Sequence, residues 1–430
     1  MLSSVVITDP ARLRALRSSW SELLERSSVS DASLDPAWML SWWDVFGGDE
    51  ARELRSLALY DGPRLVGLAP LLARRHTYGR AVPFRRLELL ASGERQSEET
   101  CSDYLGIVAE RGREADVVAS FVDALTGDGL GPWDELILSS MDGNGPLPEL
   151  LERELRARGA VVTRETWSSS PYITLPRTWD EYLGALKPTK RAQLRKSLRA
   201  FESWAGGEPE IVRVRSQREL PEGKRILMAL HRERWGGDGV FGSPRFCAFH
   251  DRLMEELLPM GALDLGWMNV RGEPVAAFYN FRWNGKVSFY QSGRKLDLPD
   301  AIRVGVTMHG YLIRSAIEEG LREYDFLAGA SQYKMALALA TRPLVRLRAA
   351  RPSLRERARD AGERAARGAR RIRDWARDDV SPRAPARIRP VLDRLLGASP
   401  IEPSASNGAP REGVSDARSD AAGSRARRPR

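Results

Sequence analysis

The sequence predicts an α+β fold of two tandem units followed by an Arg-rich tail, and three observations carry that expectation. A chain of 430 residues exceeds the length at which a single core stops growing, so two domains are expected. Strand-like and helix-like segments follow one another in a similar order in the two halves of the first 350 residues, without a residue-level repeat. The composition then changes: residues 351–430 hold 20 Arg, no Lys and 11 Asp+Glu, which accounts for the whole net charge of +9. The first 350 residues are therefore electrically neutral, and the chain's charge gives no support for nucleic-acid binding by the folded body.

The first unit, residues 1–165, opens with a helical pattern over 11–26 and the aromatic-rich "PAWMLSWWDVF". In "LRSLALYDGPRLVGLAPLLARR" the Asp61-Gly62 pair lies between two apolar runs, which signals a hairpin with strands near 56–60 and 65–72. "CSDYLGIVA" is expected as a strand, "EADVVASFVDALTG" as a helix, "WDELILSS" as a strand, and "LPELLERELRARG" as a helix ending at Gly159. The second unit, 166–350, begins with a helix pair in "TWDEYLGALKPTKRAQLRKSLRAFESW" and continues through a strand, "EIVRVRS". Two helices follow, then three antiparallel strands turning at Arg271-Gly272 and Asn284-Gly285. A helix in "RVGVTMHGYLIRSAIEEG" leads to "EYDFLAGASQYKMALAL", a short strand that breaks at Gly329 and resumes as a helix. Residues 351–380 read as an Arg/Ala helix and 381–430 as a disordered tail. That tail is either a solvated extension or a contact for anionic lipid, polysaccharide or RNA.

The function classes that these residues exclude are several. Two cysteines, Cys101 and Cys247, and four scattered histidines offer neither metal-ligand spacing nor a disulfide framework, so no metal is expected and a reducing cytoplasm fits. Neither cysteine has an adjacent basic pair to activate a thiolate. The apolar run at 5–8 is too short for a signal peptide, and no uncharged stretch approaches a bilayer span. No phosphate-binding P-loop, dinucleotide fingerprint or nucleophile elbow is present.

Lysine is scarce, seven residues against 60 arginines with none before position 187, so Lys334 beside Tyr333, just after a strand end, is a marked choice. Its bland alternative is a half-buried ring and a solvated amine. Lys190, Arg191 and Arg195 belong to one basic helix on which Arg191, Arg195 and Arg199 form a stripe. That stripe suits phosphates of an acceptor, or else is a solvated face paired with Glu181 or Glu202. His231 in "HRERWG" titrates near neutrality and suits a base or an acceptor contact, unless it is simply packed. Tyr290 and Gln291 fall on a strand where they line a pocket or pack across strands.

"KPTKRAQLRKSLRAFE", "HRERWG", "VRGEPVAAFYNFRWNGKVSFYQSG" and above all "GLREYDFLAGASQYKMAL" resemble the GNAT acyltransferase superfamily. More narrowly, they are similar to its two-domain branch of CelD-type polysaccharide-associated acetyltransferases and FemAB/FemX peptidyltransferases. "DGPRLVGLAPLL" and "CSDYLGIV" extend the resemblance to the first unit, over about residues 10–345. It implies tandem GNAT-like (acyl-CoA N-acyltransferase) domains, with an acetyl-CoA or other acyl-CoA co-substrate. The donor's amides would lie along "KVSFYQSG", near Tyr290 and Gln291, and its pyrophosphate at the next helix start, on Arg303 and Gly305. The family's phosphate loop carries two small residues at fixed spacing, whereas "DAIRVGVTMHG" has Gly305 alone well placed. By the same resemblance Tyr333 is the general acid for the departing thiolate, Lys334 its electrostatic partner, and Asp325 an acceptor-orienting group or base. For Asp325 a turn-capping role is the alternative. The implied activity is acyl transfer to an amine or hydroxyl of a sugar or cell-envelope polysaccharide precursor, in the cytoplasm or at the membrane's inner face. The other two readings are a FemX-like aminoacyl-tRNA-dependent transferase and a non-catalytic scaffold. The resemblance also includes return of the C-terminal segment to the first unit.

Overall fold

The computed structural model describes residues 2–375 apart from Glu50, Arg80, Asp128, Gly237 and Asp238, so the tail expected at 381–430 lies outside the described residues. The first unit comprises β1 (Ser3–Ile7), α1 (Pro10–Ala15), α2 (Arg17–Arg26), α3 (Pro36–Phe46), β2 (Glu53–Leu54), β3 (Ser56–Asp61), β4 (Arg64–Ala69), β5 (Leu71–Tyr78), β6 (Val82–Leu89), β7 (Val108–Ala109), α4 (Glu114–Thr126), β8 (Glu135–Asp142) and α5 (Leu147–Ala157). A long strand, β9 (Val161–Thr174), leads into the second unit. There follow α6 (Trp179–Ala185), α7 (Pro188–Ala205), β10 (Glu210–Arg213), α8 (Leu220–Trp235), α9 (Pro244–Leu257), β11 (Leu263–Val270), β12 (Glu273–Trp283), β13 (Lys286–Arg294), α10 (Val304–Glu318), β14 (Glu323–Asp325), α11 (Gln332–Leu337), β15 (Ala340–Ala350) and α12 (Leu354–Trp375).

Local chemistry explains most boundaries. Asp9, Asp35, Thr178 and Ser243 cap α1, α3, α6 and α9 with their side chains, and Thr178 forms a capping box with Glu181. Both expected turns of the second unit are two-residue hairpins with left-handed backbones, φ 53° and 80° at Arg271-Gly272 and 45° and 72° at Asn284-Gly285. The Asp61-Gly62 hairpin joins β3 to β4 as expected.

One sheet of eleven strands runs through both units in the order β10-β11-β12-β13-β14-β9-β15-β8-β6-β5-β2, and β1-β3-β4-β7 form a second sheet. The division expected at residues 165/166 falls inside β9. β15 lies antiparallel between β9 and β8, and α12 returns to the first unit against β6, with its Glu356 bonded to Arg348 of β15 at 2.9 and 2.7 Å. One hydrophobic core includes residues of both units: Trp38 on α3 meets Phe249 of α9, Phe281 of β12 and Tyr290 of β13 edge-on, at 5.3, 5.1 and 6.0 Å. Among the described residues no helix is long and apolar enough to cross a membrane.

One expectation is corrected. "CSDYLGIVA" is not a strand: only Val108 and Ala109 join a sheet. The rest is an irregular loop in which Cys101 and Tyr104 take φ of 47° and 59°, a backbone that interrupts a ladder. Its apolar residues are buried because the loop lies against the second unit.

Candidate functional site

The central feature is a divergence of two parallel strands. β13 and β14 pair only at residues 286–288 opposite 323–325, and a register shift at Tyr279/Asn280 bulges β13 at Tyr290. Past Asp325 the chain stays with β9, through Phe326 N–H to Pro171 O at 2.9 Å and Gly329 N–H to Ser169 O at 3.2 Å. β13 runs on to Arg294 with β12 alone beside it and α8 behind it. At this fork Phe289, Phe326 and Tyr333 surround His309 of α10, with ring centroids at 4.4, 5.3 and 5.4 Å. Tyr333 is half-buried and stacks on His309 at 27°. Burial, Lys334 and Arg234 push the His309 imidazole down to about 3, so it is neutral, with Nδ1 3.1 Å from Tyr324 OH. Its placement is a tertiary fact with no sequence signal beyond a lone His.

The start of α10 stands at the upper end of the fork. Arg303 is the exposed N-cap residue and makes no side-chain cap, leaving the first-turn amides open. A Cβ on Gly305 would meet only Arg294 Cδ, at 3.7 Å, so close packing is not what requires glycine there. Arg294, absent from the sequence expectation, lies along that turn.

Asp325 proves to be a clamp between the units. It is 0% exposed and accepts from Tyr104 OH at 2.6 Å, Ser170 Oγ at 2.7 Å, Leu327 N–H at 2.7 Å and Arg342 at 3.2 Å. Both oxygens are occupied, so the expected base or acceptor contact gives way to the turn-capping alternative, reinforced from the first unit. Tyr290 is likewise spent: its OH donates to Thr100 O at 2.7 Å and lies 2.9 Å from His250 Nε2, which leaves nothing for a cofactor. Lys286 completes the clamp by pairing with Asp31. His231 is buried beneath Phe241 and Trp235 and bonded to Gln291, and burial pushes it down to about 4. It packs rather than titrates near neutrality, and Gln291 orients it.

The loop that carries Tyr104 also brings acids to α11. Asp103 Oδ2 accepts from Ala328 N–H at 2.7 Å, and Lys334 Nζ donates to Ala328 O at 2.8 Å. Burial pushes the Asp103 carboxyl up to about 7 and lowers the Lys334 ammonium. Glu99 is pushed up to about 8 by burial and by the neighbouring charges of Glu94 and Asp103. Its carboxyl has no hydrogen-bond or ion-pair partner among the described residues. Asp103, poised near neutrality beside Lys334, and Glu99, its neighbour, are carboxyls that can exchange a proton with a bound nucleophile. Lys190, Arg191 and Arg195 lie on α7, away from this cleft and against the α10 side of the sheet.

Residues 189–335, from α7 to α11, match the Acetyltransferase (GNAT) domain family model. That stretch of the second unit is thus a GNAT domain. No curated protein sequence matches this chain. The crystal structure of FemX is similar in fold, with a TM-score of 0.53 at 11% identity, covering 80% of this chain and 96% of FemX. L-PGS from Bacillus licheniformis aligns at a TM-score of 0.45 and 15% identity, over 81% of this chain and 94% of its own. A tandem GNAT protein from the clavulanic acid biosynthesis pathway aligns at 0.39 and 12% identity, over 82% and 100%.

Proposed function

We propose that this protein transfers an acyl group, acetyl in the simplest case, from acyl-CoA to an amine or hydroxyl of a sugar or cell-envelope polysaccharide precursor in the cytoplasm. The observation that carries the reading is the fork of β13 and β14 with Tyr333 seated in it. An extended pantetheine arm adds to the free edge of β13 as a further strand does. In this reading the thioester lies at the fork and the pyrophosphate at the bare first turn of α10.

The acceptor enters from the inter-unit cleft. Its nitrogen or oxygen attacks the thioester carbonyl carbon, and the proton it loses passes to the Glu99 carboxylate, which has no partner among the described residues. The C–S bond breaks, and the departing thiolate takes the Tyr333 hydroxyl proton, which solvent restores. Lys334 holds positive charge beside the developing oxyanion, and positioning supplies most of the acceleration.

Calorimetric titration of the full chain with acetyl-CoA and longer acyl-CoAs, paired with a thiol-release assay, tests the reading. Tyr333→Phe is expected to keep donor binding and to lose thiol release by about 100-fold. Absence of binding by every coenzyme A species would sink the proposal.

A further inference from the structure

α7 and α10 pack side by side in the same direction. Leu194 and Leu198 press on Gly310, where a Cβ would lie 3.3 and 3.1 Å away. A turn further along α7, Phe201 faces Tyr311, the next residue of α10, at 6.4 Å and Glu202 accepts from Tyr311 OH at 2.8 Å. Beyond the end of α7, Glu208 takes both Arg314 nitrogens, at 3.0 and 2.7 Å. The contacts follow the same order on both helices, so the two run in one sense and their N-termini point toward the same end of the pair. That end is also where the donor's phosphates belong.

The charge at that end is uncompensated. Lys187, Lys190, Arg191, Arg195, Lys196 and Arg199 have no carboxylate partner among the described residues, and neither have Arg294 and Arg303. The acids expected to pair with the stripe are engaged elsewhere: Glu181 in the capping box of α6, and Glu202 on Tyr311. Several arginines elsewhere in the body do sit on acids, as in Arg213–Asp264, Arg342–Glu323 and Arg348–Glu356. Thr307 adds an independent sign. It shares the stripe 307, 310, 311, 314 with the residues that meet α7, is 0% exposed, and its hydroxyl has no partner among the described residues.

We propose that Lys190, Arg191 and Arg195 of α7 and Arg294 and Arg303 at α10 form one cradle for the nucleotide phosphates of the donor. The inference rests on the acyl-CoA reading and moves the α7 cations from the acceptor's side, where the sequence put them, to the donor's. The cradle compensates for the phosphate loop, reduced here to Gly305: side-chain forks from a neighbouring helix replace some of the backbone amides that a fuller glycine loop would present. A phosphomonoester beside a pyrophosphate suits such a broad cationic strip better than a single phosphate does.

The test uses the full chain, with coenzyme A, dephospho-coenzyme A and adenosine 3′,5′-bisphosphate as calorimetric probes. In Arg191→Gln/Arg195→Gln, affinity for coenzyme A is expected to fall at least about tenfold. The parent's preference for it over dephospho-coenzyme A should shrink, and bisphosphate binding should be lost. The melting temperature controls for folding, and Lys190→Gln gives a milder second variant. Unchanged coenzyme A affinity in both variants overturns the cradle while leaving the acyltransferase reading intact. A raised acceptor KM with the donor KM unchanged also overturns it. If the parent binds the bisphosphate through these residues but no acyl-CoA is turned over, the cradle survives and the transfer chemistry fails. Binding of mixed-sequence RNA that needs the α7 cations and is not displaced by coenzyme A overturns it in favour of a polyanion.

Discussion

Glu99 is held in its cleft at a cost, with Glu94 and Asp103 as its charged neighbours and no cation of its own, and its carboxyl rises from 4.5 to about 8. The unfolded chain releases this proton near the ordinary value, while the folded chain keeps it until about pH 8. Between those limits the folded state binds more protons than the unfolded state, so stability falls as pH rises through the window. Asp103, pushed up to about 7, acts in the same direction. Glu99→Gln removes the ionisation without changing the shape. It should melt a few degrees higher than the parent at pH 8.5 and equally at pH 5, while acyl transfer falls about 100-fold. Activity of the parent should rise with pH through an apparent value near 7 to 8, which belongs to the coupled acids rather than to one of them. Equal melting at both pH values, or a variant of parental activity, would remove Glu99 from the mechanism.

At the scale of elements, two glycines at the ends of the fork have opposite reasons to exist. A Cβ on Gly293 would lie 2.2 Å from His231 N and 2.4 Å from Leu230 C, the backbone of α8, which cannot yield as a side chain does. Gly293→Ala should therefore destabilise by about 3 kcal/mol or more, through separation of α8 from β13. Gly305→Ala makes only an ordinary contact with Arg294 Cδ at 3.7 Å and should melt like the parent, but bind coenzyme A more weakly, because a methyl group blocks approach to the first-turn amides. Thermal melts and titrations of the pair decide both points. The same scale shows what sequence alone made legible. The hairpins at Asp61-Gly62, Arg271-Gly272 and Asn284-Gly285 and the periodic helices were readable because their signals are local. β9 and β15 were not. Their alternation is filled with polar and charged residues such as Arg164, Glu165, Arg342 and Arg346, Pro343 interrupts β15, and the two strands pair across more than 160 residues. That two strands part at the fork followed only from the family resemblance, whereas the strand end at Gly329 with Tyr333-Lys334 after it was legible. Glu99, Asp103, Arg294 and His309 were not, because only the tertiary fold brings them to the site.

For the whole molecule, the two units are halves of a fold and not beads on a string. β15 belongs by sequence to the second unit, yet it lies between β8 and β9, and Arg348 on it reaches Glu135 of β8 at 2.8 Å as well as Glu356 of α12. Asp325 closes the interface with Tyr104, and Trp38 fills the core with Phe249 and Phe281. Residues 166–350 excised alone would leave β15 without β8 and half of β9. They would also leave Asp325 without the Tyr104 hydroxyl and the aromatic core without Trp38, a buried-area loss far beyond the few kcal/mol that keep a domain folded. The fragment should show no cooperative thermal transition and no donor binding, whereas residues 1–375 should melt in one transition by both circular dichroism and intrinsic fluorescence. Two separated transitions in 1–375, or a cooperative melt of the excised half, would mean that the shared sheet contributes little and that the acids of the first unit reach the fork only by loose docking. A single transition instead makes the first unit part of the catalytic architecture, since the same contacts that stabilise the sheet also hold the loop of Glu99 and Asp103 over Lys334.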